Sequence, residues 1–129
     1  MNPNPEMKRI RILLADDDVG ALVVIHKLLQ SDFEVVEMVQ DGSSLVEAAF
    51  KWRPDVIVSD ISMPKLNGIQ AARKILESLP GIKFIFLTMH ASPAYRRAAL
   101  SLGASGYVLK AFAREELTKS VRAAFQARP

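Results

Sequence analysis

Residues 55–68 read Asp55-Val56-Ile57-Val58-Ser59-Asp60-Ile61-Ser62-Met63-Pro64-Lys65-Leu66-Asn67-Gly68. The short β-branched run at its start reads as a buried strand. The strand ends in an acid. A loop punctuated by Pro64, Asn67 and Gly68 then leads into a helical spacing over residues 67–79, which Pro80-Gly81 stops. The unit is therefore strand, acid, loop, helix.

Working outward, the same unit recurs. Residues 9–15 carry Ile10, Ile12, Leu13 and Leu14, and end at Asp16-Asp17-Asp18 before a helical stripe over 19–30 (Leu22, Ile25, His26, Leu29). Residues 34–39 form a β-branched run that ends at Gln40-Asp41, and a helical stretch follows over 43–52. Residues 83–88 contain Phe84-Ile85-Phe86-Leu87, end at Thr88, and precede a helix over 93–102 closed by Gly103. Residues 106–109 end at Lys110 and precede a helix over 114–127, with Leu117, Val121, Ala124 and Phe125 on its stripe. Five strands, each followed by a helix, predict one α/β domain with a parallel sheet covered on both faces. Each crossover is expected to be right-handed. Met, Phe and Ile positions at strand or helix spacing are expected in the core.

In a parallel sheet of this kind, chemistry gathers at the carboxyl ends of the strands. Those ends carry Asp16-Asp17-Asp18, Asp60, Thr88 and Lys110, while Gln40-Asp41 falls near an expected edge. Clustered carboxylates repel one another unless a cation compensates them. A hard divalent ion with oxygen ligands does so, and Mg²⁺ typically combines one or two carboxylates with water and phosphate oxygens. A carboxylate facing such an ion can attack phosphorus. A lysine and a threonine hydroxyl beside it can stabilise the charge on a transferring phosphoryl group.

Composition removes other classes. Half of the 129 residues are hydrophobic and 24% are charged, so the chain can bury a core. The longest uninterrupted apolar run, Ala21 to Ile25, is far too short to span a bilayer. No apolar segment follows Met1, so no secretory signal is expected. The chain has no cysteine, which excludes disulfides and thiol chemistry and fits a cytoplasmic setting. Charge is uneven: residues 1–64 hold six Lys/Arg against eleven Asp/Glu, and residues 65–129 hold eleven against three. The basic half reads first as a solvated surface, with contact to nucleic acid or acidic lipid as the other reading. Neither a Gly-x-x-x-x-Gly-Lys-Ser/Thr loop nor a helix-turn-helix or zinc pattern is present.

Four of these stretches, in order, resemble the receiver domain of two-component response regulators. They are Ile12-Leu13-Leu14-Ala15-Asp16-Asp17, the segment from Val58 to Gly68, Phe86-Leu87-Thr88, and Gly106-Tyr107-Val108-Leu109-Lys110. The resemblance runs from about Arg9 to Gln126 and is strongest to the LuxR/NarL branch. It implies a flavodoxin-like (βα)5 sandwich with strand order 2-1-3-4-5. It implies that Asp60 accepts a phosphoryl group from a sensor histidine kinase. Mg²⁺ would be held by Asp17 and Asp60 directly, by Asp16 through water and by the Ser62 backbone carbonyl. Thr88 and Lys110 would contact the phosphoryl group. Tyr107 matches an aromatic switch position, though a half-buried packing role reads equally well. The output face would be the fourth helix, fifth strand and fifth helix, with a homodimer on phosphorylation. Residues 1–8 are expected to be a flexible tail, 9–127 the receiver, and 128–129 the start of a linker. DNA would be met only through an effector domain outside this chain, and no membrane is involved.

Some positions depart from the family pattern. Met89 stands where a small residue is usual, and is expected to narrow access to Asp60. His90 follows at a position that tunes dephosphorylation. Ala111 stands where a proline often follows the lysine; a cis bond before a non-proline costs about 3–4 kcal/mol, so the Lys110–Ala111 bond is either trans or strained. Asp18 reads as a helix N-cap rather than a ligand, and neither His26 nor His90 has a partner at metal-ligand spacing. Two other functions stay open at this stage. One is a phosphorylation-independent interaction module of the same fold. The other is a haloacid-dehalogenase-type phosphatase, whose Asp-x-Asp-x-Thr/Val motif Asp16 to Gly20 only partly imitates, because Gly20 fills the Thr/Val position.

Overall fold

In the computed structural model, residues 9–127 are described; the expected tail at 1–8 and linker start at 128–129 lie outside them. Five strands alternate with five helices: β1 (Arg11–Ala15), α1 (Val19–Leu29), β2 (Glu34–Val39), α2 (Gly42–Trp52), β3 (Val56–Ser59), α3 (Gly68–Ser78), β4 (Lys83–Thr88), α4 (Pro93–Ser101), β5 (Gly106–Leu109) and α5 (Ala113–Gln126). The strands pair in parallel in the order β2-β1-β3-β4-β5. The fold class is therefore as expected, strand order included.

Alternation along the strands divides the core into two layers. Leu13, Ala15, Ile57, Phe84 and Phe86 face one side, where Leu45, Ala48 and Ala49 of α2 and Ala71, Ala72 and Ile75 of α3 cover them. Ile12, Leu14, Val56, Val58, Ile85, Leu87 and Val108 face the other, under Leu22, Ile25 and Leu29 of α1 and Leu117, Val121 and Ala124 of α5. Phe84 and Phe86 sit with ring centroids 5.0 Å apart and are fully buried. Burying such side chains stabilises by about 1.5–3 kcal/mol each.

Four expectations need correction. Met38 and Phe50 are 41% exposed and Phe125 47% exposed, so none of them is core. Met38 lies on the edge strand, where one flank has no strand neighbour among the described residues. Phe50 and Phe125 each follow a buried alanine (Ala49, Ala124), and one helical step turns a side chain by about 100° away from it. The fourth concerns the start of the last helix: a 3-10 turn over Lys110–Phe112 precedes α5, which begins at Ala113. Asp18 does cap α1, its Oδ1 accepting from the Gly20 N–H at 2.9 Å.

Candidate functional site

The strand ends bring the acids together through the backbone ladder. The Asp60 N–H donates to the Ala15 carbonyl at 3.0 Å, and the Asp16 N–H donates to the Val39 carbonyl at 3.1 Å. Both carboxylates thus emerge at one end of the central strands. Asp60 is 7% exposed and Asp16 is 1% exposed, while Asp17 projects to solvent. One carboxylate oxygen from each of the three lies within 4.8 Å of the others. They line a cavity of about 380 Å³ together with Asp18, Ser62, Met89, His90 and Lys110.

Two glycines hold the loop after Asp60 in place. A Cβ on Gly68 would stand 2.1 Å from the Asp60 carbonyl oxygen, so only glycine lets the start of α3 close onto this backbone. The Gly68 N–H donates to the Ile61 carbonyl at 2.8 Å. A Cβ on Gly42 would stand 1.9 Å from the Leu66 carbonyl oxygen. Between them Lys65 (φ 53°) and Leu66 (φ 99°) take left-handed backbone, a conformation bulky residues keep only when the surroundings enforce it. Asn67 and Gln70 then form a reciprocal cap on α3, at 2.9 and 3.1 Å.

Lys110 is the cationic partner of the cluster. Its Nζ lies 2.6 Å from Asp16 Oδ2 and 2.9 Å from Asp60 Oδ2. The other oxygens are used as well: Asp60 Oδ1 accepts from the Ile61 N–H at 2.7 Å, and Asp16 Oδ1 from the Asp18 N–H at 3.0 Å. Burial pushes the Asp16 carboxyl above the ordinary carboxylate range, against the pull of Lys110 and the Asp18 N–H. Burial alone would pull the Lys110 ammonium down, but hydrogen bonds to Asp16 and Asp60 outweigh it, and the net direction is up. The two directions oppose each other, one favouring a neutral carboxyl and the other an ion pair. A 2.6 Å contact to an ammonium that also meets Asp60 favours the ion pair.

Asp16, Asp17 and Asp60 offer hard oxygen donors that suit a divalent cation such as Mg²⁺, and Ser62 lines the same cavity. Thr88 stands one layer behind: it is fully buried at the end of β4, and its hydroxyl accepts from the His90 N–H at 3.2 Å. The Tyr107 hydroxyl donates to the His90 carbonyl at 2.6 Å, and the Arg96 guanidinium lies 5.8 Å from the Tyr107 ring centre. Met89 lines the cavity and is 80% exposed. The bond before Ala111 is trans. Lys110 also borders a larger groove of about 640 Å³ between α1 and α5, whose other lining includes Val24, Ile25 and Leu28. That groove carries no acid cluster, whereas the smaller cavity gathers the three convergent carboxylates. One contact has no signal in the sequence: Ser62 Oγ to His90 Nε2, at 2.7 Å.

Residues 12–122 match the response regulator receiver domain family. The chain is a member of that family. This receiver is 35% identical over 128 residues to the transcriptional regulatory protein DegU of Brevibacillus brevis, covering 98% of this chain and 54% of the relative. It spans about half the length of the curated relatives it matches. Among solved structures, the response regulator domain of Thermotoga maritima CheB superposes with a TM-score of 0.88 at 31% identity, covering 95% of this receiver and 100% of that chain. A LuxR-family two-component response regulator from Aurantimonas sp. superposes with a TM-score of 0.89 at 28% identity, covering 94% and 88%. The branch this receiver resembles is LuxR/NarL, as its sequence motifs imply. Such domains are regulatory receivers rather than conventional enzymes. No helix among the described residues is long and apolar enough to cross a membrane.

Proposed function

We propose that this receiver takes a phosphoryl group on Asp60 from the phosphohistidine of a sensor kinase and passes the change to an output domain. The observation that carries this reading is the bridge from Lys110 Nζ to Asp16 and Asp60 inside a group of three convergent carboxylates. A cation already neutralises the acceptor there, as phosphoryl transfer requires. Asp60 Oδ2 attacks phosphorus in line, the P–N bond to the donor histidine breaks, and the imidazole leaves with the electron pair. Mg²⁺, held by Asp16, Asp17, Asp60 and the Ser62 carbonyl, would supply further positive charge to the carboxylates and phosphoryl oxygens. Lys110 follows the charge from the Asp60 carboxylate to the phosphoryl group. Thr88 exchanges its His90 partner for a phosphoryl oxygen, and Tyr107 moves with it. The α4, β5 and α5 face then carries the signal, through a homodimer and an effector domain that meets DNA.

Incubation with Mg²⁺ and acetyl phosphate, followed by intact mass, tests the reading. A phosphorylated species that needs Mg²⁺ and is lost in Asp60→Asn is expected. Steady hydrolysis of phosphate esters, abolished instead by Asp16→Asn, would mark a phosphatase. Absence of modification with both acetyl phosphate and a phosphorylated sensor kinase would leave an interaction module that works without phosphate. The kinase arm matters because Met89 stands at the rim that a small donor must pass.

A further inference from the structure

His90 lies between β4 and α4 and touches four separate parts of the domain. Its Nε2 is 2.7 Å from Ser62 Oγ, on the loop that follows Asp60. Its ring stands 4.8 Å from the ring of Tyr95, in the first turn of α4. Its backbone N–H reaches Thr88 at the end of β4, and its carbonyl receives the Tyr107 hydroxyl from β5. Ser62 and His90 both line the cavity that holds Asp60. Ser62 is exposed and Asp60 is buried, so the Ser62–His90 bridge lies on the solvent side of the acceptor. A serine hydroxyl both donates and accepts, so the bond forms with either neutral imidazole tautomer.

The helix at the other end of this connection is weakly held. Ala99 is the sole buried residue of α4, and Tyr95 and Leu100 are 40% and 49% exposed. With so little burial, the contacts at its first turn decide where its N-terminal end sits.

We infer that the Ser62–His90 hydrogen bond is a latch, closing the rim over Asp60 and fixing the first turn of α4 with one contact. The access role rests on the proposed phosphorylation of Asp60; the link to α4 does not. A donor that reaches Asp60 parts Ser62 from His90. Parting them draws the imidazole away from Tyr95, so the helix is released as the rim opens. His90 is thus a positioning residue, and the bistable element it biases is the β4–α4 connection.

The test uses the wild-type chain with Ser62→Ala, His90→Ala, the double variant and Met89→Ala. Two quantities are read: amide deuterium exchange over 93–101 in the unmodified protein, and the rate of acetyl phosphate modification with Mg²⁺. Each latch variant is expected to raise both by about two- to fivefold, the range one partly exposed hydrogen bond supports, and the double variant no further. Met89→Ala is expected to raise the rate alone, since Met89 lines the same cavity and takes no part in the Ser62–His90 or His90–Tyr95 contacts. Unchanged exchange in Ser62→Ala, multiplying effects in the double variant, or equal exchange in Met89→Ala would each overturn the latch. The exchange arm needs no phosphoryl chemistry, so it decides the link to α4 even if Asp60 takes no group. A wild-type chain that resists modification by acetyl phosphate and by a phosphorylated kinase counts against the proposed function and the access role instead.

Discussion

Helices α3 and α4 occupy equivalent places in two successive strand–loop–helix units, yet they are held very differently. Gly68, Ala71, Ala72 and Ile75 of α3 are buried, and Asn67 and Gln70 cap it in both directions. Helix α4 buries Ala99, and a single serine side chain, Ser92, caps it. The loop before α3 carries Asp60, the proposed phosphoryl acceptor, and the loop before α4 carries the residues proposed to respond. The proposed reaction needs Asp60 fixed and the α4 region free to respond, and the division of apolar burial between these two helices suits both.

That contrast can be broken by mutation, and the effects should fall in order. Ile75→Ala removes a fully buried side chain between α3 and the sheet. A loss of about 2–5 kcal/mol in urea unfolding is expected. A loss below about 1 kcal/mol would show that α3 is no better anchored than α4. Gly68→Ala comes next, at about 1–3 kcal/mol, because the new methyl meets the Asp60 carbonyl and the backbone must yield. Its modification rate should fall along with its stability, since the strain sits on the Asp60 backbone.

Asp41 sharpens the comparison from the side of α2, which packs against α3. Its carboxylate caps α2, accepting from the Ser44 N–H at 2.7 Å, and that bond holds its pKa below the ordinary 3.8. Asp41→Ala should cost about 1 kcal/mol at neutral pH. A depressed carboxyl stabilises the fold above its unfolded pKa and stops doing so as pH falls through the folded value. The difference between wild type and variant should therefore be full near neutrality and shrink below pH 3.8. A difference that stays constant in acid would mean the ionised cap is not its source. The smallest effect belongs to Leu100→Ala on α4, expected within about 0.5 kcal/mol of wild type.

The central strands β1, β3 and β4 were legible because they bury both faces, and an apolar run bounded by acids or Gly/Pro has few other readings. The strand order came with the family motifs rather than from the periodicity. Phe50 and Phe125 read as core because apolar identity does not say which way a helical side chain points; each stands on the outer side of its helix. Met38 was misread because an edge strand keeps β-branched composition after losing a neighbour. At the site, Asp16, Asp17, Asp60 and Lys110 could be named because they end strands. Ser62 and His90 could not be paired, since they stand in loops 28 residues apart and loop backbone carries no period. The left-handed Lys65 and Leu66 were equally silent, because their conformation is imposed by Gly42 and Gly68 packing around them.

The central claim is that Asp60 is the nucleophile of a Mg²⁺-dependent phosphoryl transfer. Its most direct test is hydroxylamine trapping after exposure to a phosphorylated donor, with peptide mapping of the hydroxamate that an acyl phosphate leaves behind. A hydroxamate on Asp60 that disappears with chelator and is absent in Asp60→Asn is the predicted result. A hydroxamate on Asp16 or Asp17 instead, or a folded chain that leaves Asp60 unmodified by donor and kinase alike, would contradict it.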